Sequence, residues 1–125
     1  MPVMNVTLGD LNYILGVGEE NTFLQLAGNL CGTNASKITS VFQRTITHAK
    51  GKLFLSLQGC YNMDSQTLAA LAIHQKNRLD LCREIVLVDV PSQIMKILEL
   101  AQITAMTEVF PSIEEAEKKY GHSVH

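Results

Sequence analysis

The stretch Tyr61–Lys76, YNMDSQTLAALAIHQK, sets an aspartate and a serine, Asp64 and Ser65, between an apolar run and a segment rich in leucine and alanine. Both residue types carry oxygens that accept hydrogen bonds from the free amides of a helix's first turn, so the pair suits a helix start. The same position suits a phosphate, because a helix N-terminus gathers amide donors and partial positive charge. A phosphate ester on Ser65 would add about −1.5 to −2 charges to an otherwise mild surface. Ser65 therefore reads as a cap, as a switch, or as both.

Other chemistry is sparse. The chain has no phosphate-binding G-x-x-x-x-G-K-S/T loop, and Gly16–Gly18 does not open a helix as a dinucleotide fingerprint would. There is no G-x-S-x-G elbow, and no histidine is placed by the sequence as a base for Ser65. The carboxylate pairs Glu19–Glu20 and Glu114–Glu115 fall in a turn and at a helix start, where solvation or capping explains them. Cys31, Cys60 and Cys82 are widely spaced without a C-x-x-C, which fits apolar fillers in a reducing compartment better than a zinc site. Cys31 and Cys60 both follow strand-like runs, so a redox pair is conceivable if their Cα atoms lie within about 7 Å. His48 and His74 stand alone, as surface or satisfied core residues, and His122 and His125 sit in the tail GHSVH. No metal and no cofactor is expected.

A chain of 125 residues supports one domain with one sizeable core. Its net charge of −2, without a basic stripe, gives no reason to expect nucleic acid. Runs such as LAALAI and IVLV are far too short to span a bilayer, and MPVMNVTLGD is not a secretory signal, so the expected location is the cytoplasm.

The elements that must position Ser65 follow from periodicity. Leu11–Val17 and Thr22–Gly28 read as strands joined by a short polar turn, hence an antiparallel hairpin. Residues 35–50 carry Ile38, Val41, Phe42, Ile46 and Ala49 on one helical face, with Asn34 as N-cap and Gly51 as stop. Lys52–Gly59 is a leucine-rich strand, and Ser65–Asn77 a helix with Leu68, Leu71 and Ala72 inward. Glu84–Val90 is apolar almost throughout, as in a strand covered on both faces. Pro91 opens a helix with Ile94, Ile97, Leu98 and Ala101 as its apolar face. Thr107–Phe110 makes a short last strand. Ser112 and Glu115 form a capping box for a final helix that Gly121 stops. The order β-β-α-β-α-β-α-β-α predicts four or five strands, parallel wherever a helix intervenes.

The whole resembles the STAS domain of bacterial anti-sigma-factor antagonists, over about Gly9–Tyr120. LQLAGNL resembles the family's second strand and its Gly-x-Leu turn, with Gly28 and Leu30 matching. LFLSLQGCYNMDSQTLAAL resembles the central strand and the Asp-Ser helix start. The C-terminal half resembles the family through Phe110, Ser112, Glu114, Glu115 and Ala116. The resemblance implies a single α/β domain over residues 1–125, with its core at about 9–120 and a short tail at 121–125. Its small mixed, mostly parallel sheet has the first strand antiparallel and packs with about four helices.

The resemblance also implies a binding switch and not an enzyme. Ser65 would be phosphorylated by a partner anti-sigma factor acting as a serine kinase and reset by a phosphatase. Asp64, Ser65, Gln66, Thr67, Cys31 and Asn62 would form the partner-binding surface. Four positions depart from the family pattern. Gln66 and Thr67 stand where Ser or Thr and then Gly usually follow, and Cys31 and Ser56 replace acidic residues. A second reading keeps the fold without phosphorylation, as a scaffold or an accessory subunit of a transporter or signalling complex.

Overall fold

In a computed structural model, residues 3–18, 20–48, 51–79 and 84–121 are described. They build one six-stranded sheet with strands in chain order: β1 (Val3–Leu8), β2 (Leu11–Val17), β3 (Thr22–Leu30), β4 (Leu53–Met63), β5 (Ile85–Val88) and β6 (Val109–Phe110). The helices are α1 (Asn34–His48), α2 (Ser65–Leu79), α3 (Ser92–Leu100) and α4 (Ile113–Tyr120), with a short 3₁₀ turn at Ile103–Ala105. The pairs β1–β2 and β2–β3 are antiparallel, while β3–β4, β4–β5 and β5–β6 are parallel. This is the mixed α/β fold expected, with Leu11–Val17 matched residue for residue and with six strands where four or five were predicted. The extra strand is β1. Met4, Val6 and Leu8 alternate with Asn5 and Thr7, and a two-residue Gly9–Asp10 turn leads into β2. Gly9 has φ +68°, which suits the first central position of a II′ hairpin turn.

From β3 to β6 every parallel connection steps one strand in the same direction. Right-handed crossovers then place α1, α2 and α3 together on one face. Their side chains Ile38, Phe42, Leu71, Ile94 and Leu98 meet Leu24, Leu26, Leu55, Leu57 and Leu87 in the main core. After β6 the chain returns as α4 over the other face, where Ala116 packs with Phe54, Val86 and Val88. Of the expected core, Leu55, Leu57, Val86, Val88 and Leu71 are buried, whereas Ile97 is half-buried and Ala101 is exposed. Ala101 lies beyond the last turn of α3, which explains its exposure.

Three local readings are corrected. Asn34 is the first residue of α1, and its carboxamide donates to Asp10 Oδ1 at 2.9 Å and to the Asn29 carbonyl at 2.8 Å. It ties the β1–β2 turn and the end of β3 to the helix. Ser112 caps α4 by accepting from the Glu115 amide at 3.3 Å, but the Glu115 carboxylate turns to Lys118 instead of reaching back. The Gly28–Leu30 stretch, expected as a turn, is strand. Gly28 takes φ +121° there, with the Asp10 carbonyl oxygen 2.2 Å from where a Cβ would stand. Cys82, His122 and His125 lie outside the described residues, as does the side chain of His48.

Candidate functional site

Two irregularities in the β3–β4 ladder shape the end of the sheet where Ser65 sits. Gln25 faces Ser56 but Ala27 faces Gly59, and Gly28 faces Cys60 but Asn29 faces Asn62. At each step β4 advances one residue more than β3, as in a β-bulge. Gly59 permits the first, because a Cβ there would lie 2.7 Å from the Ala27 Cβ. Tyr61 is the extra residue of the second, and it is 58% exposed. The bulges thus turn Tyr61 and Asn62 outward immediately before α2.

Asp64 supplies the oxygens that start this helix. One carboxylate oxygen accepts from the Thr67 amide at 3.1 Å and the other from the Gly32 amide at 2.9 Å. These bonds, Gly32's first, hold the Asp64 carboxyl below its ordinary range. The cap that the sequence left open between Asp64 and Ser65 therefore belongs to Asp64. Ser65 is the first helical residue and is exposed.

Thr67, expected on the docking surface, lies beneath it. It is 2% exposed, and its hydroxyl donates to the Leu30 carbonyl, pinning α2 to the end of β3. Cys31 is half-buried beside Asp64, with its amide bonded to Asn29 Oδ1 at 3.2 Å. Partial burial and then the Asp64 carboxylate raise its thiol pKa, so it has little thiolate character. Gln66 and Asn62 are exposed. The structure thus groups Asp64, Ser65, Gln66, Asn62 and Cys31 at one end of the sheet and takes Thr67 out of the surface. Ser56, a position of interest for its lost acid, is buried within β4.

The sequence reading missed two contributors. Gly32 anchors Asp64 through its amide, and the exposed face of α2 continues from Gln66 through Ala69 to Ile73. Ile73 is a large apolar side chain on the solvent side, a signal that helical spacing alone could have raised. Gly32, whose amide Asp64 holds, and the adjoining Thr33 are exposed as well. The ion pairs Lys52–Glu84 and Lys119–Glu108 lie at the opposite ends of the strands.

Among the described residues no base is hydrogen-bonded to Ser65 or to either free thiol at this site. Cys60 is a free, buried thiol that donates to the Leu26 carbonyl at 3.3 Å, and burial pushes its pKa up to about 12. Cys60 faces Gly28, and Cys31 lies three residues farther on, roughly 10 Å at ~3.3 Å per residue. A disulfide spans at most about 7 Å, so the conceivable redox pair is ruled out. A depression of about 570 Å³ between α3 and β6, lined by Met95, Glu99, Thr107 and Val109 among others, shares no residue with the Ser65 surface. Among the described residues no helix is long and apolar enough to cross a membrane.

Comparison with known proteins gives this arrangement its context. The STAS domain family matches residues 14–116. No curated protein matches the chain in sequence. Among solved structures, an anti-sigma factor antagonist from Mycobacterium paratuberculosis superposes with a TM-score of 0.80 at 12% identity, covering 94% of this chain and 100% of that one. The anti-sigma factor antagonist SpoIIAA in its unphosphorylated form gives 0.68 at 11% identity, covering 99% and 100%. Murine Slc26a9, an anion transporter in its inward-facing state, gives 0.67 at 21% identity, covering 82% of this chain but 17% of the transporter. At these identities the likeness is one of fold.

Proposed function

The chain belongs to the STAS domain family, and on that premise we propose that it is a regulatory protein-binding module of the anti-sigma-factor-antagonist type, switched by phosphorylation of Ser65. The observation that carries this reading is the division of labour at the start of α2. Asp64 makes the cap, so the exposed Ser65 hydroxyl is not needed to hold the helix. A kinase could esterify it without breaking a bond that the fold depends on.

Under this reading the switch acts through charge. The Asp64 carboxylate is held ionised and already accepts from two amides at this spot. A phosphate on Ser65 would meet that like charge and project outward instead of settling on the helix N-terminus. The result is a change of surface charge with the fold kept. Tyr61, Gln66, Ala69 and Ile73 offer a neutral, partly apolar contact surface. Two negative charges placed at its edge would oppose docking through repulsion and desolvation. The departure at Thr67 is internal and leaves this surface unaltered, whereas Gln66 lies on it.

The implied partners are an anti-sigma factor with serine-kinase activity and a phosphatase, in the cytoplasm, and no catalysis is assigned to the chain itself. The test is intact mass after exposure to the cognate kinase and ATP, together with partner affinity for wild type, Ser65→Ala and Ser65→Asp. One phosphate gained by wild type and none by Ser65→Ala, with weakened binding of Ser65→Asp, is the expected result. Equal affinity for all three without phosphate uptake would remove the switch and leave an unphosphorylated scaffold or transporter accessory.

A further inference from the structure

The two edges of the sheet are unlike. At one side β6 is two residues long and begins beside the Lys119–Glu108 ion pair. These are devices that blunt an edge against pairing. At the other side β1 runs for six residues, pairs with β2 in unbroken register, and contains no charged residue, no proline and no bulge. It is the outer strand of the sheet among the described residues.

The direction of its free backbone groups follows from the turn. Leu8 and Leu11 close a two-residue hairpin, which makes them a hydrogen-bonded pair. Bonded and non-bonded pairs alternate in an antiparallel ladder. Met4, Val6 and Leu8 therefore bond to β2, while Val3, Asn5 and Thr7 point their N–H and C=O groups away from the sheet.

We propose that this edge pairs with the same edge of a second copy of the chain, giving a two-fold dimer whose sheet runs continuously through both subunits. An antiparallel register centred on Asn5 opposite Asn5 uses all three outward residues, with Val3 facing Thr7 on either side. It also sets Met4 opposite Val6 of the second copy. Met4 is 52% exposed in the single chain, and Val6 already packs against the main core, so the pairing extends that core across the boundary. A strand without charge is self-complementary about a two-fold axis, because no like charges are brought face to face.

Facing residues lie on the same side of a sheet, so the α1–α3 layers of both copies fall on one side of the dimer and the two α4 helices on the other. The strands run oppositely, so the two Ser65 surfaces emerge at opposite ends and both stay open. The dimer does not depend on the Ser65 switch, and neither excludes the other.

The contact is smaller than a standard protein interface, so the dimer should depend on concentration. Sedimentation velocity of the full chain, from about 1 µM to about 1 mM, a range in which weak contacts saturate, should show a monomer converting to a dimer. Asn5→Pro removes an outward N–H at an edge position that tolerates proline, and Met4→Lys sets a charge on an exposed position; both should abolish the dimer while keeping the wild-type circular dichroism. Should Asn5→Pro fail to fold, Met4→Lys decides alone. Leu100→Lys, at a side chain 87% exposed on α3, should leave the dimer intact. A wild type that stays monomeric throughout, a dimer that survives Met4→Lys, or one that Leu100→Lys dissolves would overturn the proposal.

Discussion

Asp64 accepts the backbone amide of Gly32 at 2.9 Å, from the end of one parallel strand to the loop that follows its neighbour. Its other oxygen takes the Thr67 amide, so one carboxylate joins the β3–α1 loop to the first turn of α2. Removing it should release both. Asp64→Ala is expected to lower stability by about 0.5–2 kcal/mol, the range for loss of a capping side chain. Asp64→Asn retains an acceptor but loses the charge. The carboxyl pKa is depressed in the folded state, so its contribution is full above the unfolded value near 3.8 and disappears as pH falls through the folded value. Urea midpoints followed from pH 5 down to pH 2 (about the range in which a carboxylate titrates) should converge for wild type and Asp64→Asn at the acid end.

Gln75 is buried and holds three backbone groups together. It accepts from the Ile85 amide at 2.6 Å and donates to the carbonyls of Ile85 at 3.2 Å and Met106 at 3.1 Å. It thereby fastens α2 to the start of β5 and to the segment leading into β6. Gln75→Leu keeps the volume but strands buried donors and acceptors, each at about 1–3 kcal/mol. A loss of roughly 3 kcal/mol or more in equilibrium unfolding is expected. A midpoint close to wild type would show that water or rearranged backbone satisfies these groups.

The legible and illegible parts of the chain divide by the range of the interactions behind them. Strands β2 to β5 and the four helices follow from local periodicity, and the Asp-Ser helix start follows from residue type. The alternation Met4, Val6, Leu8 with the Gly9–Asp10 turn is the local signal for β1. The leucine-rich run of β4 reads as ending at Gly59; in the structure that glycine serves a bulge through close approach to Ala27, a partner 32 residues earlier, and the strand runs on to Met63. The burial of Thr67, the roles of Asn34 and Gln75, and the choice of Asp64 over Ser65 as cap all depend on partners distant in sequence or on the exact first residue of a helix. No pattern along the chain carries that information.

His74 was expected as surface or satisfied core, and it is neither. It is buried edge-on to Phe42 with ring centroids 5.1 Å apart, and its Nδ1 has no hydrogen-bond partner among the described residues. Burial first, and the nearby Arg78 cation second, depress its pKa. The unfolded chain therefore takes up a proton near 6.5 while the folded chain resists, and stability falls as pH drops below that value. Wild type should lose stability between about pH 7 and 5, across the ordinary histidine range. His74→Leu should flatten that part of the profile. An identical slope in both proteins would assign the pH dependence to other groups.

Ser65 itself offers the sharpest stability test, because the sequence and the structure assign it different duties. Were its hydroxyl the cap of α2, Ser65→Ala would cost about 0.5–2 kcal/mol. The cap belongs to Asp64, and Ser65 is the first residue inside the helix, where alanine has the better helix propensity. Ser65→Ala should therefore stay within about 0.5 kcal/mol of wild type, the usual range for a surface change. Ser65→Asp combines a favourable charge at the helix N-terminus with an unfavourable one near the Asp64 carboxylate, and these oppose each other. Its stability should also stay close to wild type at low and at high salt, because salt screens both interactions. Thermal and urea unfolding of the three proteins at low and high salt would measure both points. A loss of 1 kcal/mol or more in Ser65→Ala, about the typical penalty for a missing cap, would return the capping role to the serine and leave its hydroxyl committed to the fold.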